Sequence, residues 1–196
     1  MFEAIIARIR RRPIASSTIE LRVDEIAQLF NTLDPLPFHE RDLDKAAEDF
    51  IVGWARELPL RNSIKLLIHL PKRVADRREA ALLPDAIIRY FQYRAQGARL
   101  DLNELFRIGR GSLAIGFGVL SACLLVGQFI SGRLGSGYVG KFVDESLVIL
   151  GWVANWKPIE ILLYDWLPLK RRLDLYLRLS RAEVGLMPFD TPSAAN

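Results

Sequence analysis

A chain of 196 residues, 51% hydrophobic and 26% charged with net charge +4, has room for one modest folded domain and a small membrane part. Its single cysteine excludes an internal disulfide framework and a cysteine-rich zinc site, and two histidines argue against a histidine-built metal centre. The mean hydropathy of +0.14 is high for so charged a chain, so apolar residues must be concentrated somewhere, and they are, after Gly111.

The N-terminus, MFEAIIARIRRRP, carries its arginines after the apolar run, the reverse of a secretory signal. Residues 1–12 fit a short basic amphipathic helix. Phe2, Ile5, Ile6 and Ile9 face one way and Arg8, Arg10, Arg11 and Arg12 the other, and Pro13 ends it. Such a helix suits anionic headgroups or its own domain equally.

Residues 17–23 alternate Ile19, Leu21 and Val23 with polar neighbours, the pattern of a half-buried strand. Asp24 is placed to cap a short helix, DEIAQLFN. An acidic, proline-punctuated loop follows, with Asp34, His39, Glu40, Asp42 and Asp44. Carboxylates and an imidazole are the groups a divalent metal takes, but the spacing matches no ligand motif, and Asp42 or Asp44 serves equally as a helix cap. From Leu43 apolar residues recur at helical spacing as far as Pro59, and residues 63–70, SIKLLIHL, read as a second strand. His69 within it reads as a core or edge histidine. Strand, two helices and strand predict a small α/β layer, with parallel or antiparallel pairing left open.

The charged stretch 72–79 reads as an exposed link. Pro84 sits well in the first turn of a helix, PDAIIRYFQYRAQ, that stops at Gly97, and Asp101 with Glu104 forms a capping pattern for the next, DLNELFRIGR. Residues 112–130, SLAIGFGVLSACLLVGQFI, carry no ionisable group but the Cys123 thiol. At about 1.5 Å per residue they are just long enough for a ~30 Å hydrocarbon core, and a helix apolar on every side is a membrane span before it is a soluble core helix. Arg107 and Arg110 precede the span at headgroup level. Ala114, Gly118 and Ala122 form a small-residue stripe that lets another helix approach, either the second span through Gly151, Ala154 and Asn155 or another copy of the chain. Cys123 reads as a packing residue, and the glycines at 109, 111, 116 and 118 match neither a dinucleotide fingerprint nor a P-loop.

Residues 131–145 read as a flexible external loop. The second apolar segment, 146–167, contains Asn155, Lys157, Pro158 and Glu160, which a straight span would put near mid-depth. Lys157 and Glu160 are three apart, on neighbouring helix positions. They read as an ion or proton path, as recognition of a polar helix, as the end of the span at Pro158 with an interfacial helix after it, or as a Lys157 that simply snorkels. Beyond Pro168 the chain is basic, with Lys170, Arg171 and Arg172 first, and is predicted helical; EVGLM at 183–187 suits a third strand returning to the sheet, and the tail reads as disordered.

Of the 27 Lys and Arg residues, 19 precede Ser112 and five follow residue 169. The positive-inside rule then puts both termini in the cytoplasm and accounts for the basic excess without nucleic acid. The fold class expected is α+β: a cytoplasmic α/β domain over 1–110, a transmembrane hairpin over 111–168, and a cytoplasmic basic segment over 169–196. The phrases LFNTLDPLPFHERDLDKAAEDFIVGWAREL, IHLP, GRGSLAIGFGVL and LVILGWVANWKPIEILLYDWLP resemble those of uncharacterised bacterial two-pass inner-membrane proteins, over about residues 19–184. The resemblance implies a bacterial inner-membrane protein and brings no activity or cofactor. The function expected is a non-enzymatic, membrane-anchored interaction or regulatory module, with anionic lipid and either a protein partner or itself as partners. The alternatives are an oligomeric pore using Asn155, Lys157 and Glu160, and a metal-dependent enzyme using the His39 loop.

Overall fold

A computed structural model describes residues 17–31, 41–59, 62–134 and 137–190. The expected helix at 1–12, the acidic-loop residues Asp34, His39 and Glu40, and the tail from 191 lie outside the described residues. The chain divides into two compact units: residues 1–95 with 174–196, and residues 96–173.

The first unit is built on three strands, β1 (Thr18–Arg22), β2 (Lys65–Pro71) and β3 (Glu183–Phe189), in spatial order β1-β2-β3. Both pairings are parallel, with Ile19, Leu66 and Val184 in one row and Leu21, Ile68 and Leu186 in the next. Alternation decides the faces. Ile19 and Leu21 of β1 and Leu66, Ile68 and Leu70 of β2 are buried, while Glu20, Arg22 and Lys65 are exposed. On that exposed side Lys65 Nζ meets Glu183 at 2.8 Å, His69 Nε2 lies 3.6 Å from Glu20, and the Arg22 guanidinium stacks 4.1 Å from the Phe189 ring.

Parallel neighbours need crossovers. Among the described residues the first holds a 3-10 turn (Ile26–Leu29), in place of the capped helix expected at Asp24, and helix α1 (Lys45–Glu57). Asp44 caps α1, its carboxylate accepting from the Ala46 amide at 2.9 Å. The second holds α2 (Lys72–Ala75), α3 (Arg78–Leu134), α4 (Tyr138–Glu160), a π turn (Ile161–Asp165) and α5 (Trp166–Leu179). The whole second unit is thus an insertion in the connection from β2 to β3. Ala80, Leu83, Ile87 and Phe91 from the start of α3, and Leu175, Tyr176 and Leu179 from the end of α5, join the core of the first unit.

Three expectations are corrected. Residues 72–79 include a short helix as well as a link. The helix from Pro84 does not stop at Gly97, nor does Asp101 open a new one: α3 runs unbroken for 57 residues. A glycine in a helix costs only about 1 kcal/mol, and burial of Ala95 and Ala98 on either side of Gly97 offsets that. The connection expected over 131–145 shrinks to the few residues between Leu134 and Tyr138, and Lys141, Asp144 and Glu145 belong to α4. The boundaries between the two compact units fall inside α3 and α5, at 95/96 and 173/174.

Candidate functional site

In the second unit α3 and α4 meet along a seam of small residues. A side chain on Gly109 would strike Ile161 at 2.9 Å, one on Gly116 would strike Asn155 Oδ1 at 2.6 Å, and one on Gly151 would strike Leu120 at 2.6 Å. Gly127 is closed in the same way by the Asp144 carboxylate. These pairs fix an antiparallel register: 116 stands opposite 155, 120 opposite 151, and 127 opposite 144. The buried positions Gly109, Gly116, Cys123 and Gly127 step along α3 in sevens and fours, the spacing of left-handed antiparallel packing. Ala114, Gly118 and Ala122 are exposed, and nothing lies within 4 Å of a side chain on Gly118. The expected stripe is therefore not the intramolecular contact. The expected positions on the second helix, Gly151, Ala154 and Asn155, do belong to it, Gly151 against Leu120 and the Ala154 carbonyl and Asn155 against Gly116.

Asn155 is 3% exposed and bridges the two helices, its Nδ2 donating to the Gly116 carbonyl at 3.0 Å and the Gly151 carbonyl at 2.9 Å. Its Oδ1 has no hydrogen-bond partner and lies against Gly116. Extending the register puts Lys157 level with Ala114, near the start of the apolar stretch 112–130, and Glu160 level with Gly111, just outside it. Neither is near the middle, where a straight count along the second segment placed them. Pro158 does not end the helix, which passes into the π turn three residues on.

Lys157 is the hub of an exposed charged cluster, with Nζ 3.1 Å from Glu160 and 3.3 Å from Asp165. Asp165 is eight positions from Lys157, which in a regular α-helix is about 80° around the axis. The π turn accommodates one extra residue and turns Asp165 back onto the face of Lys157. Trp156 and Tyr164, 75% and 64% exposed, flank that face, each one position before a member of the cluster. Trp166 stacks 6.3 Å from Phe106 and donates its indole N–H to the Leu162 carbonyl at 3.0 Å. Arg107, Arg110, Lys170, Arg171 and Arg172 are all exposed, Arg107 reaching Glu104 at 3.5 Å.

A polar network in the first unit was invisible in the sequence. Glu48 of α1, 9% exposed, accepts from Arg94 Nε at 3.0 Å and from the Tyr176 hydroxyl at 3.0 Å, and Arg94 Nη2 donates to the same hydroxyl at 3.2 Å. Burial acts against the Arg94 charge, but Glu48 outweighs it and holds the guanidinium above its ordinary pKa. Burial, followed by the nearby Glu48 charge and hydrogen bond, pushes the Tyr90 phenol well above 10. Three helices from distant parts of the chain are tied at one carboxylate.

Among the described residues no cluster of three or more His, Cys, Asp or Glu is placed to hold a metal ion. Asp44 is occupied as a cap, and the Asp42 carbonyl accepts from the Asn31 amide at 2.9 Å. Helices α3 and α4 through α5 are long and apolar enough to cross a membrane, and their most apolar windows are only 17% and 22% buried. No family model, curated protein or solved structure matches the chain.

Proposed function

We propose that the protein is a membrane-anchored, non-enzymatic interaction or regulatory module of the bacterial inner membrane, presenting its α/β unit to the cytoplasm. The observation that carries this reading is the exposure of the most apolar windows. Ile115, Phe117, Leu125, Phe129, Ile149, Trp152 and Val153 all point away from the helix pair, where water would make such a surface an aggregation site and lipid makes it a solvent contact. The two helices then form a transmembrane hairpin with residues 135–137 outside. Because the pair is inserted between β2 and β3, the chain leaves the first unit before the first crossing and returns to it after the second. The basic residues flanking the pair favour the cytoplasm for that unit.

The pore reading draws less support, since Asn155 uses both amide hydrogens within the helix pair and Lys157 is matched by two carboxylates. Extraction in native lipid patches followed by mass spectrometry of the intact complex separates the two. A stoichiometric companion protein agrees with the module. A homo-oligomer whose liposome flux is lost in Glu160→Gln, or a specific turnover by the purified protein, contradicts it.

A further inference from the structure

We propose that the helix pair is matched to a hydrocarbon layer of about 24 Å, thinner than the ~30 Å of an ordinary bilayer, so that its exposed surface takes phospholipids with short acyl chains. The proposal rests on membrane insertion as read above. Its warrant is the depth at which charge begins on the two helices. At the turn end, Asp144 and Glu145 stand level with Gly127 and Val126, the Asp144 carboxylate packed against Gly127 and Glu145 exposed. An aspartate or glutamate is too short to carry its charge far along a helix, and a carboxylate held in hydrocarbon is costly, so the apolar layer ends at their level. At the π-turn end Lys157 lies one turn further in, but its stem runs outward and leaves Nζ 3.1 Å from Glu160 and 3.3 Å from Asp165. Its charge is carried at the level of Glu160 and Gly111, beside Arg110 of α3.

Gly111 and Gly127 are 16 residues apart on α3, about 24 Å at 1.5 Å per residue, and tilt only shortens the depth. Between those levels the pair exposes Ile115, Phe117, Leu125, Ile149 and Val153 to lipid. Gln128, Phe129 and Ile130 of the apolar stretch then fall outside the layer, which the sequence of α3 alone does not reveal because its next charge is Arg133. The boundaries carry the side chains expected there. The Arg133 guanidinium lies 4.4 Å from the Phe129 ring, and exposed Tyr138 and Tyr164 stand beyond the two ends, at headgroup level. A stretch shorter than the layer it crosses is accommodated by thinning that layer, and lipids with short chains need the least thinning.

The test uses the full chain in fluid phosphatidylcholine vesicles of three chain lengths, dimyristoleoyl, dioleoyl and dierucoyl. Flotation in each reads insertion. Quenching of tryptophan fluorescence by a brominated dioleoyl lipid, in competition with each of the others, reads which lipid contacts the exposed Trp152 and Trp156. The wild type should take the dimyristoleoyl lipid over the dioleoyl by about threefold, the size expected of a mismatch of a few ångström, and the dierucoyl lipid least. Asp144→Ala/Glu145→Leu moves the first charge at the turn end out to Lys141 and Arg133, and should shift the optimum to dioleoyl. Lys141→Gln, outside the layer already, should leave it unchanged. A wild type that floats and shows no preference for the short chain, or a double variant that floats and keeps it, overturns the thickness proposal alone. A wild type that floats in none of the vesicles overturns the membrane reading with it.

Discussion

The Asn155 side chain sits in the notch left by Gly116, donating to its carbonyl at 3.0 Å while its own Oδ1 fills the space a side chain there would need. Gly116→Ala must therefore displace Asn155 and, at 3.1 Å, the Ala154 carbonyl, an overpacking cost of about 1–3 kcal/mol. Gly118→Ala, two residues away in open space, should be neutral. Thermal unfolding in detergent distinguishes them: the first lowers the midpoint by several degrees and the second leaves it. Equal effects would mean that the helix pair is not in this register.

Asn155→Leu removes two donated hydrogen bonds and one unpartnered oxygen together. Only the bond to Gly116 crosses between the helices, the one to Gly151 lying within α4, and an intramolecular hydrogen bond contributes about 1 kcal/mol net, so the loss should be small, about 1 kcal/mol. Asn155→Asp should harm the pair more, because it replaces the donor with an acceptor facing two carbonyls. The same unfolding assay checks the order.

Tyr176→Phe takes one donor from Glu48 and leaves Arg94, so the first unit should lose about 1 kcal/mol. Glu48→Leu leaves the half-exposed Arg94 without its carboxylate and costs more, about 2 kcal/mol after allowance for solvent screening of the guanidinium. Urea unfolding followed by circular dichroism measures both. If the two substitutions combined cost as much as their sum, Glu48 and Tyr176 are not acting through one network.

Tyr90 gives the fold an alkaline limit. Its folded pKa is raised above 10, so the unfolded chain releases this proton first as pH rises. The stabilisation is complete below pH 10 and is lost progressively above it. Tyr90→Phe should flatten the fall in stability between pH 10 and 11 while leaving the neutral-pH value within about 1 kcal/mol. An unchanged alkaline slope would place that titration elsewhere.

The strands were legible because burial has a short period. Ile19 and Leu21 alternate with Glu20 and Arg22 on one exposed face, and EVGLM returns to the sheet as β3. Parallel pairing was not, since no local pattern carries it. The long helix was misjudged at Gly97 and Asp101, where local stop and start signals lost to packing on either side. The α4 side of the helix seam was legible in Gly151, Ala154 and Asn155, but its α3 side was misjudged for a geometric reason: Ala114, Gly118 and Ala122 repeat every four residues, whereas an antiparallel pair alternates steps of three and four, as Gly116, Cys123 and Gly127 do in part. A search for small residues seven apart would have found Gly109, Gly116 and Cys123. Glu48 and Tyr176 are 128 positions apart, and only the fold brings them together. Asp165 joins Lys157 through the π turn, which a regular helical count does not anticipate.

The most direct test of the membrane reading is sidedness. In a Cys123→Ala background, single cysteines at Ser136 and Ser63 are challenged with a membrane-impermeant maleimide in spheroplasts and in inverted vesicles. Ser136→Cys should react only from outside, and Ser63→Cys only from the cytoplasmic face. Reaction of both from the same side, or release of the protein by alkaline carbonate, would contradict a two-pass anchor.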